Sequence, residues 1–124
     1  MTPEKNTSSA VLIRPRVYLG DGIAIGPGKI DLLRAVGKTR SIAAAARSLG
    51  MPYKRAWLLT DSLNRRFSQL LVATMAGGKG GGGAYLTTLG EELVALYDAL
   101  EERLNAEAAP ELEALRKLAG GPGI

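Results

Sequence analysis

Residues 41–66 read SIAAAARSLGMPYKRAWLLTDSLNRR, and this stretch decides the fold. Apolar residues recur at helical spacing directly after Ser41, whose hydroxyl can accept a hydrogen bond from the free amides of a first helical turn. Gly50 suits the left-handed conformation that ends a helix, and Pro52 suits the first turn of the next one. The pattern therefore predicts a short helix from about Ser41 and a longer one from Pro52 to Arg66. The apolar positions of the short helix are Ile42, Ala45, Ala46 and Leu49.

The alanine run in the short helix lets a neighbouring helix approach closely, and a short glycine-containing turn joins two helices at a steep angle. A helix-turn-helix is therefore predicted. In its second helix Ala56, Leu59 and Leu63 form the inward stripe, and we expect Trp57 to join them in the core. A preceding helix is predicted from Lys29 to about Lys38, with Ile30, Leu33 and Val36 at helical spacing.

Strand patterns flank this helical segment on both sides. Upstream, residues 16–19 and 23–25 flank Gly20-Asp21-Gly22, which favours a small hairpin or a bent strand. Downstream, residues 70–75 and 85–88 are predicted strands, separated by the glycine-rich tract 76–84. The tract departs from the Walker phosphate-binding pattern, because Ala73 and Gly80 stand where glycine and serine or threonine are needed. It is either a disordered hairpin tip or a tip that follows a phosphate backbone, which on a helix-turn-helix would be a wing.

A Thr88–Glu91 capping box predicts the start of a further helix. Pro110 interrupts that helix, and Leu112, Leu115 and Leu118 mark a last short helix. Seven-residue intervals between apolar residues suit pairing of helices from two subunits, so a homodimer is predicted; the alternative is packing of the same residues on their own domain. The predicted dimerisation residues are Leu93, Leu96, Tyr97, Leu100 and Leu104.

Charge and composition narrow the function. Residues 29–66 carry nine bases and two acids, a net of +7, whereas residues 91–124 carry three bases and eight acids, a net of −5. A polarised chain of this kind fits a nucleic-acid partner. The 124 residues contain no histidine and no cysteine, which excludes serine/histidine triads, thiol nucleophiles and cysteine/histidine zinc sites. We therefore expect no enzyme, no cofactor and no metal. Because no apolar run is long enough for a membrane span, we also expect no membrane partner and a cytoplasmic location.

Double-stranded DNA is the expected partner. Lys54 and Arg55 stand at the N-terminal end of the second motif helix, where base edges are contacted in the major groove. Tyr53 can stack on a sugar or a methyl group or form a hydrogen bond with a phosphate, or it can pack on the loop instead. Further expected contacts are Thr39, Arg40 and Ser41 to the phosphate backbone and Gly78, Lys79 and Gly80 from the wing.

The stretch from Gly28 to about Leu104 resembles the N-terminal DNA-binding domain of the molybdate-responsive ModE transcriptional regulators. The resemblance rests on Ser41-Ile42-Ala43, on Tyr53-Lys54-Arg55-Ala56-Trp57, and above all on Gly77-Gly78-Lys79-Gly80-Gly81-Gly82-Gly83-Ala84 followed by Leu86-Thr87 and Gly90. A weaker similarity to LysR-type regulators covers residues 41–57. The ModE resemblance implies operator binding by a symmetric dimer. Family members carry C-terminal molybdate-binding domains, for which no room remains after Leu104, so molybdate sensing is not expected of these residues.

The expected fold is mainly α with a small β-hairpin wing, a winged helix-turn-helix with an added C-terminal dimerisation helix. The expected boundaries are residues 1–15 as a flexible N-terminus, 16–90 as the DNA-binding domain, 91–119 as dimerisation helices and 120–124 as a flexible tail. A homodimeric, sequence-specific transcription regulator is the leading hypothesis. The alternative is a protein-interaction module with a winged-helix core that does not touch DNA.

Overall fold

The computed structural model of the chain describes residues 12–20, 22–76 and 83–120. These residues are mainly helical, with two short antiparallel strand pairs, which confirms the predicted fold class. Among the described residues, those between Arg16 and Tyr97 form one compact unit, and residues 12–15 together with residues 98–120 form another. The elements are β1 (Val17–Tyr18), β2 (Ala24–Ile25), α1 (Pro27–Thr39), α2 (Ile42–Leu49), α3 (Tyr53–Arg66), β3 (Val72–Thr74), β4 (Ala84–Leu86), α4 (Thr88–Glu107) and α5 (Ala109–Leu118).

Helix α1 supplies most of the core of the larger unit. Ile30, Leu32, Leu33 and Val36 are fully buried, and α1 packs chiefly against α2. The helix begins at Pro27, two residues before the predicted start, because proline has its φ angle preset for a helix and lacks the N–H that a first turn leaves unpaired.

The two ends of α2 have the predicted construction. The Ser41 hydroxyl accepts a hydrogen bond from the Ala44 amide at 3.0 Å, and Gly50 ends α2 in the left-handed conformation, with φ +68°. Ala45 and Ala46 are buried where α2 meets its neighbours. The helix-turn-helix and its caps are thus confirmed, and α3 begins at Tyr53, within one residue of the prediction.

Trp57 does not lie in the core, so that prediction was wrong. Its side chain is 45% exposed, whereas Ala56, Thr60 and Leu63 are buried. The Thr60 hydroxyl donates to the Ala56 carbonyl at 2.9 Å, which satisfies it inside the helix. Each helical residue is rotated by about 100° from the one before, so the buried line through positions 56, 60 and 63 leaves position 57 on the flank of α3. Small residues line the contact between α2 and α3, so Ala56 fits there and the larger indole of Trp57 lies outside it.

Strands β3 and β4 pair antiparallel, with Val72 opposite Leu86 and Thr74 opposite Ala84. Both strands are shorter than predicted, because the chain leaves the ladder at Thr87 to enter α4. Their inner residues Leu71, Val72 and Ala84 are buried in the core of the larger unit. The upstream hairpin is also present, with Val17 paired to Ile25.

The capping residue of α4 is Thr87 and not Thr88, which corrects the predicted capping box. The Thr87 hydroxyl accepts from the Gly90 amide at 3.1 Å and donates to the Leu70 carbonyl at 2.7 Å. A Cβ on Gly90 would collide with the Leu71 carbonyl oxygen, so only glycine permits this close approach of α4 to the chain entering β3.

The smaller unit contains the end of α4, all of α5 and the segment before Arg16. Ile13 exchanges two backbone hydrogen bonds with the Asn105 side chain, at 2.7 and 3.0 Å, and Arg14 pairs with Glu101 at 3.5 Å. Residues 13 and 14, which we expected within a flexible terminus, therefore have defined partners on α4. Pro110 lies in the first turn of α5, which explains the break between the two helices. No helix in the described ranges combines the length and the apolarity that crossing a bilayer requires.

Candidate nucleic-acid interface

The first turn of α3 presents three of the predicted contact residues to solvent. Lys54 and Arg55 are exposed, and Tyr53 is 54% exposed at the start of the helix. Since the buried line of α3 runs through Ala56 and Leu63, Lys54 lies on the side of the helix that faces away from the core. These side chains are available to a partner and are not used in packing.

The electrostatic character of this surface is positive over the first two turns of α3. No acid occurs in the helix before Asp61, and the Asp61 carboxylate pairs with Arg65 one turn later, at 2.9 Å. The net charge of the N-terminal half of α3 is therefore supplied by Lys54 and Arg55. Because the peptide dipoles also leave the N-terminal end of a helix partly positive, this end of α3 favours an anionic partner.

The turn between α1 and α2 uses two of its three predicted contact residues internally. The Thr39 hydroxyl lies 2.8 Å from the Ala35 carbonyl and 3.0 Å from the Ser41 carbonyl, so its single proton is held within the turn. Ser41 caps α2. Both hydroxyls thus stabilise the turn. Arg40 is exposed and is the residue of this turn whose side chain a partner can reach.

Arg40 also ties the turn to the base of the second hairpin. Its carbonyl accepts a hydrogen bond from the Ala84 amide at 3.1 Å, and its guanidinium carbon lies 5.9 Å from the centre of the Tyr85 ring. Arg40 has a positive φ of 61°, which is unfavourable for a residue with a side chain. A Cβ at position 83 would lie only 3.0 Å from the same Arg40 carbonyl oxygen, so glycine at this position permits the close contact.

Asn64 makes a second connection, between the end of α3 and β3. Its amide donates to the Val72 carbonyl at 3.0 Å, and its carbonyl oxygen accepts from the amides of Leu71 and Val72 at 2.9 and 3.2 Å. The hairpin base is therefore fixed to the helix-turn-helix at both ends of the motif. Asn64 and Tyr85 were not predicted to belong to the site, since a lone asparagine in a helix and an aromatic residue in a strand carry no local signal of these contacts.

The predicted wing residues Gly78, Lys79 and Gly80 lie outside the described residues. The structure gives the hairpin base up to the hydrogen bond from the Met75 amide to the Gly83 carbonyl, at 2.8 Å. The ladder that carries the tract thus starts beside Arg40, through the Ala84 contact, and beside the end of α3, through Asn64.

The predicted dimerisation residues differ in exposure. Tyr97 is 3% exposed and belongs to the core of its own chain, and Leu93 is partly buried against the same core. Both pack internally because α4 closes the larger unit, so Tyr97 is removed from the predicted interface. Leu96 is 62% exposed and Leu100 is 37% exposed, whereas Leu104 is half-buried.

In the part of the chain that the structure describes, no group of three or more acidic side chains is placed to hold a metal ion, and histidine and cysteine are absent from the sequence. Three helices with a tight turn between α2 and α3, followed directly by an antiparallel hairpin, constitute a winged helix-turn-helix domain.

Comparison with known proteins gives the relatives of this domain. No family model matches the chain. The molybdenum-pterin-binding protein MopB of Rhodobacter capsulatus is 45% identical over 80 residues, which cover 64% of this chain and 30% of that protein. The molybdenum transport protein ModE of Azotobacter vinelandii is 34% identical over 123 residues, which cover 90% of this chain and 46% of that protein. The DNA-binding transcriptional dual regulator ModE of Escherichia coli K12 is 41% identical over 76 residues, covering 61% and 29%.

The chain is therefore a homologue of the ModE-type proteins, matched over their N-terminal portion, which confirms the resemblance seen in the sequence. It spans less than half the length of each of these relatives. None of the three is named as an enzyme.

Proposed function

We propose that the protein is a sequence-specific DNA-binding transcription regulator that acts as a homodimer. The observation that carries the proposal is the outward, unpacked position of Lys54 and Arg55 at the N-terminal end of α3, in a winged helix-turn-helix whose relatives are named as transcriptional regulators. In this scheme α3 enters the major groove, and Arg40 and Lys79 pair with phosphates on either side. Residues 16–90 would form the DNA-binding domain, acting on chromosomal DNA in the cytoplasm.

The charge distribution supports a duplex as the partner. Nine bases and two acids lie in residues 29–66, and each lysine or arginine that neutralises a phosphate releases a counterion. Affinity should therefore fall steeply with salt.

The dimer is proposed to form through residues 91–119, with the exposed leucines of α4 at its centre. Leu96 and Leu100 are exposed and lie four residues apart, so they fall on one side of the helix, and Leu104 continues that line. Exposed leucines at this spacing suit pairing with the same helix of a second copy. A symmetric dimer would place two copies of α3 on half-sites about one helical turn of DNA apart, or a multiple of it.

The test uses a duplex selected by the protein from a random-sequence pool. Binding is measured by fluorescence anisotropy across a range of salt concentrations, for the wild type and for Lys54→Ala, Lys79→Ala and Arg55→Ala. We expect affinity to fall with salt, Lys79→Ala to flatten the salt slope by about one unit, and Arg55→Ala to alter sequence preference. Lys117→Ala, an exposed cation on α5, is the matched control and should leave binding unchanged. Failure to select any duplex, or affinities that ignore both salt and these substitutions, would refute the proposal.

A second candidate, a protein-interaction module that does not bind DNA, is favoured by one observation. Leu115 and Leu118 on α5 are 55% and 83% exposed. Such a module would associate with a protein partner through α4 and α5, with little dependence on salt, and it would not retain a DNA duplex. Molybdenum binding, which the names of some relatives state for those proteins, is not part of either proposal, because this chain matches about 30% of their length.

A further inference from the structure

Helix α3 exposes two large apolar side chains one turn after Lys54. Trp57 is 45% exposed and Leu58 is 51% exposed, although the buried side of the same helix is fully supplied by other residues. The packing of the chain thus leaves about half of each of these two residues in contact with solvent. Together we call Trp57 and Leu58 the apolar pair of α3.

The apolar pair stands in a defined relation to the cation. Positions three and four residues after Lys54 are its neighbours on the next turn of the helix, so Trp57 and Leu58 lie on either side of the direction in which Lys54 points. Leu58 also lines a shallow hollow of about 380 Å³ together with Pro52, Lys54, Arg55 and Leu59. A donor cation flanked by two apolar groups, one of them beside a hollow, is a surface that discriminates between ligands by shape.

The charge around the apolar pair indicates which kind of partner binds there. Lys54 and Arg55 adjoin the pair, and no acid precedes Asp61 in α3. A second copy of this chain docked symmetrically on this surface would bring the same cations together, which is unfavourable. A DNA major groove is polyanionic at its walls and carries one apolar group on its floor, the 5-methyl group of thymine.

We infer that Trp57 and Leu58 contact thymine 5-methyl groups in the major groove, on both sides of the position that Lys54 contacts. The inference rests on the proposed function and assigns to it a class of target, a half-site in which thymines flank the base pair or phosphate bound by Lys54. The pair supplies discrimination among base pairs, whereas Lys54 and Arg55 supply charge and hydrogen bonds.

Deoxyuridine tests this directly, because it differs from thymidine only by the missing 5-methyl group. Each thymine of the selected duplex is replaced singly, and affinity is measured at constant salt. With the wild type we expect two positions in each half-site at which affinity falls about fourfold, one for each member of the apolar pair, which is the order expected for one methyl-sized apolar group. Trp57→Ala should lower affinity for the original duplex and abolish the penalty at one such position, and Leu58→Ala at another.

A second readout, which needs no variant, and a matched control support the assignment. Trp57 is the sole tryptophan of the chain, so wild-type tryptophan emission should change on binding the original duplex and change less with deoxyuridine at the contacted position. The matched control is Tyr18→Ala, since Tyr18 is an aromatic residue 71% exposed on β1. It should keep both the affinity and the deoxyuridine penalties of the wild type.

The outcomes separate the two proposals. If the protein selects a duplex but no thymine position responds to deoxyuridine, or if Trp57→Ala and Leu58→Ala retain every penalty, the inference is overturned and the proposed function stands. If no duplex is selected at all, the proposed function itself fails. Penalties that disappear in a position-specific way in each variant support both.

Discussion

Apolar residues recur at the same helical spacing in two regions, the helix-turn-helix of α1 to α3 and the C-terminal helices α4 and α5. The structure buries these residues to different extents in the two regions. In α1 the apolar line is fully buried, as at Leu33, whereas in α5 Leu115 and Leu118 remain exposed. The outer surfaces also differ in sign, with bases in the first region and acids in the second. Periodicity therefore identifies a helix and its apolar side, but only the surrounding chain decides whether that side is core or free surface.

The largest expected effect compares one residue type in the two regions. Leu33→Ala should lower the free energy of unfolding by about 2–5 kcal/mol, since it leaves a cavity among fully buried side chains. Leu118→Ala, at 83% exposure, should change it by less than about 0.5 kcal/mol. Urea unfolding followed by circular dichroism measures both. Equal losses for the two variants would break the distinction between buried and free apolar lines.

The next effect concerns the link between α3 and the hairpin. Asn64→Ala removes three hydrogen bonds and leaves polar groups of Leu71 and Val72 without this partner, so a loss of about 1–3 kcal/mol in unfolding free energy is expected. Ser62→Ala, an exposed position on the same helix, is the control and should be nearly neutral. If the two variants melted alike, Asn64 would not be what fastens the hairpin base to α3.

A smaller effect separates stability from binding at Arg40. Arg40→Gly removes the cost of a side chain at φ 61°, so the free energy of unfolding should stay within about 1 kcal/mol of the wild type, while duplex affinity falls because a cation beside the hairpin base is lost. Thermal melts and anisotropy titrations measure the two quantities. An unchanged affinity would show that Arg40 does not contact the duplex and would leave α3 as the contacting element of the helix-turn-helix.

The smallest effect lies in the acidic region. The hydrogen bond from Arg116 lowers the pKa of the exposed Glu113 carboxyl, with a further contribution from the positive charges of Arg116 and Lys117. A lowered folded-state pKa means that this pair stabilises α5 above the ordinary glutamate pKa and ceases to do so as the pH falls through the folded value. Arg116→Gln should therefore raise the Glu113 titration midpoint in carbon-13 NMR. A midpoint that does not move would show that the pair is not formed in solution.

Much of the helix-turn-helix was predictable because its signals are local. Ser41 caps α2 and Gly50 ends it through groups within a few residues, so their conformations follow from the sequence around them. Trp57 and Thr87 were misplaced for the opposite reason. The position of Trp57 depends on where the buried line of α3 meets α2, and the choice of Thr87 as the cap depends on the carbonyl of Leu70, 17 residues away.

The sequence by itself determined the helices, the caps of α2, the hairpin strands and the separation of basic from acidic segments, because these depend on short-range hydrogen bonding and on side-chain chemistry. The tertiary structure alone decided which apolar residues are core and which are exposed, as with Tyr97 buried and Trp57 free. It also decided how the hairpin base is fastened to the motif through Arg40 and Asn64. Such contacts join residues distant along the chain, and their geometry is set by close packing of several elements at once.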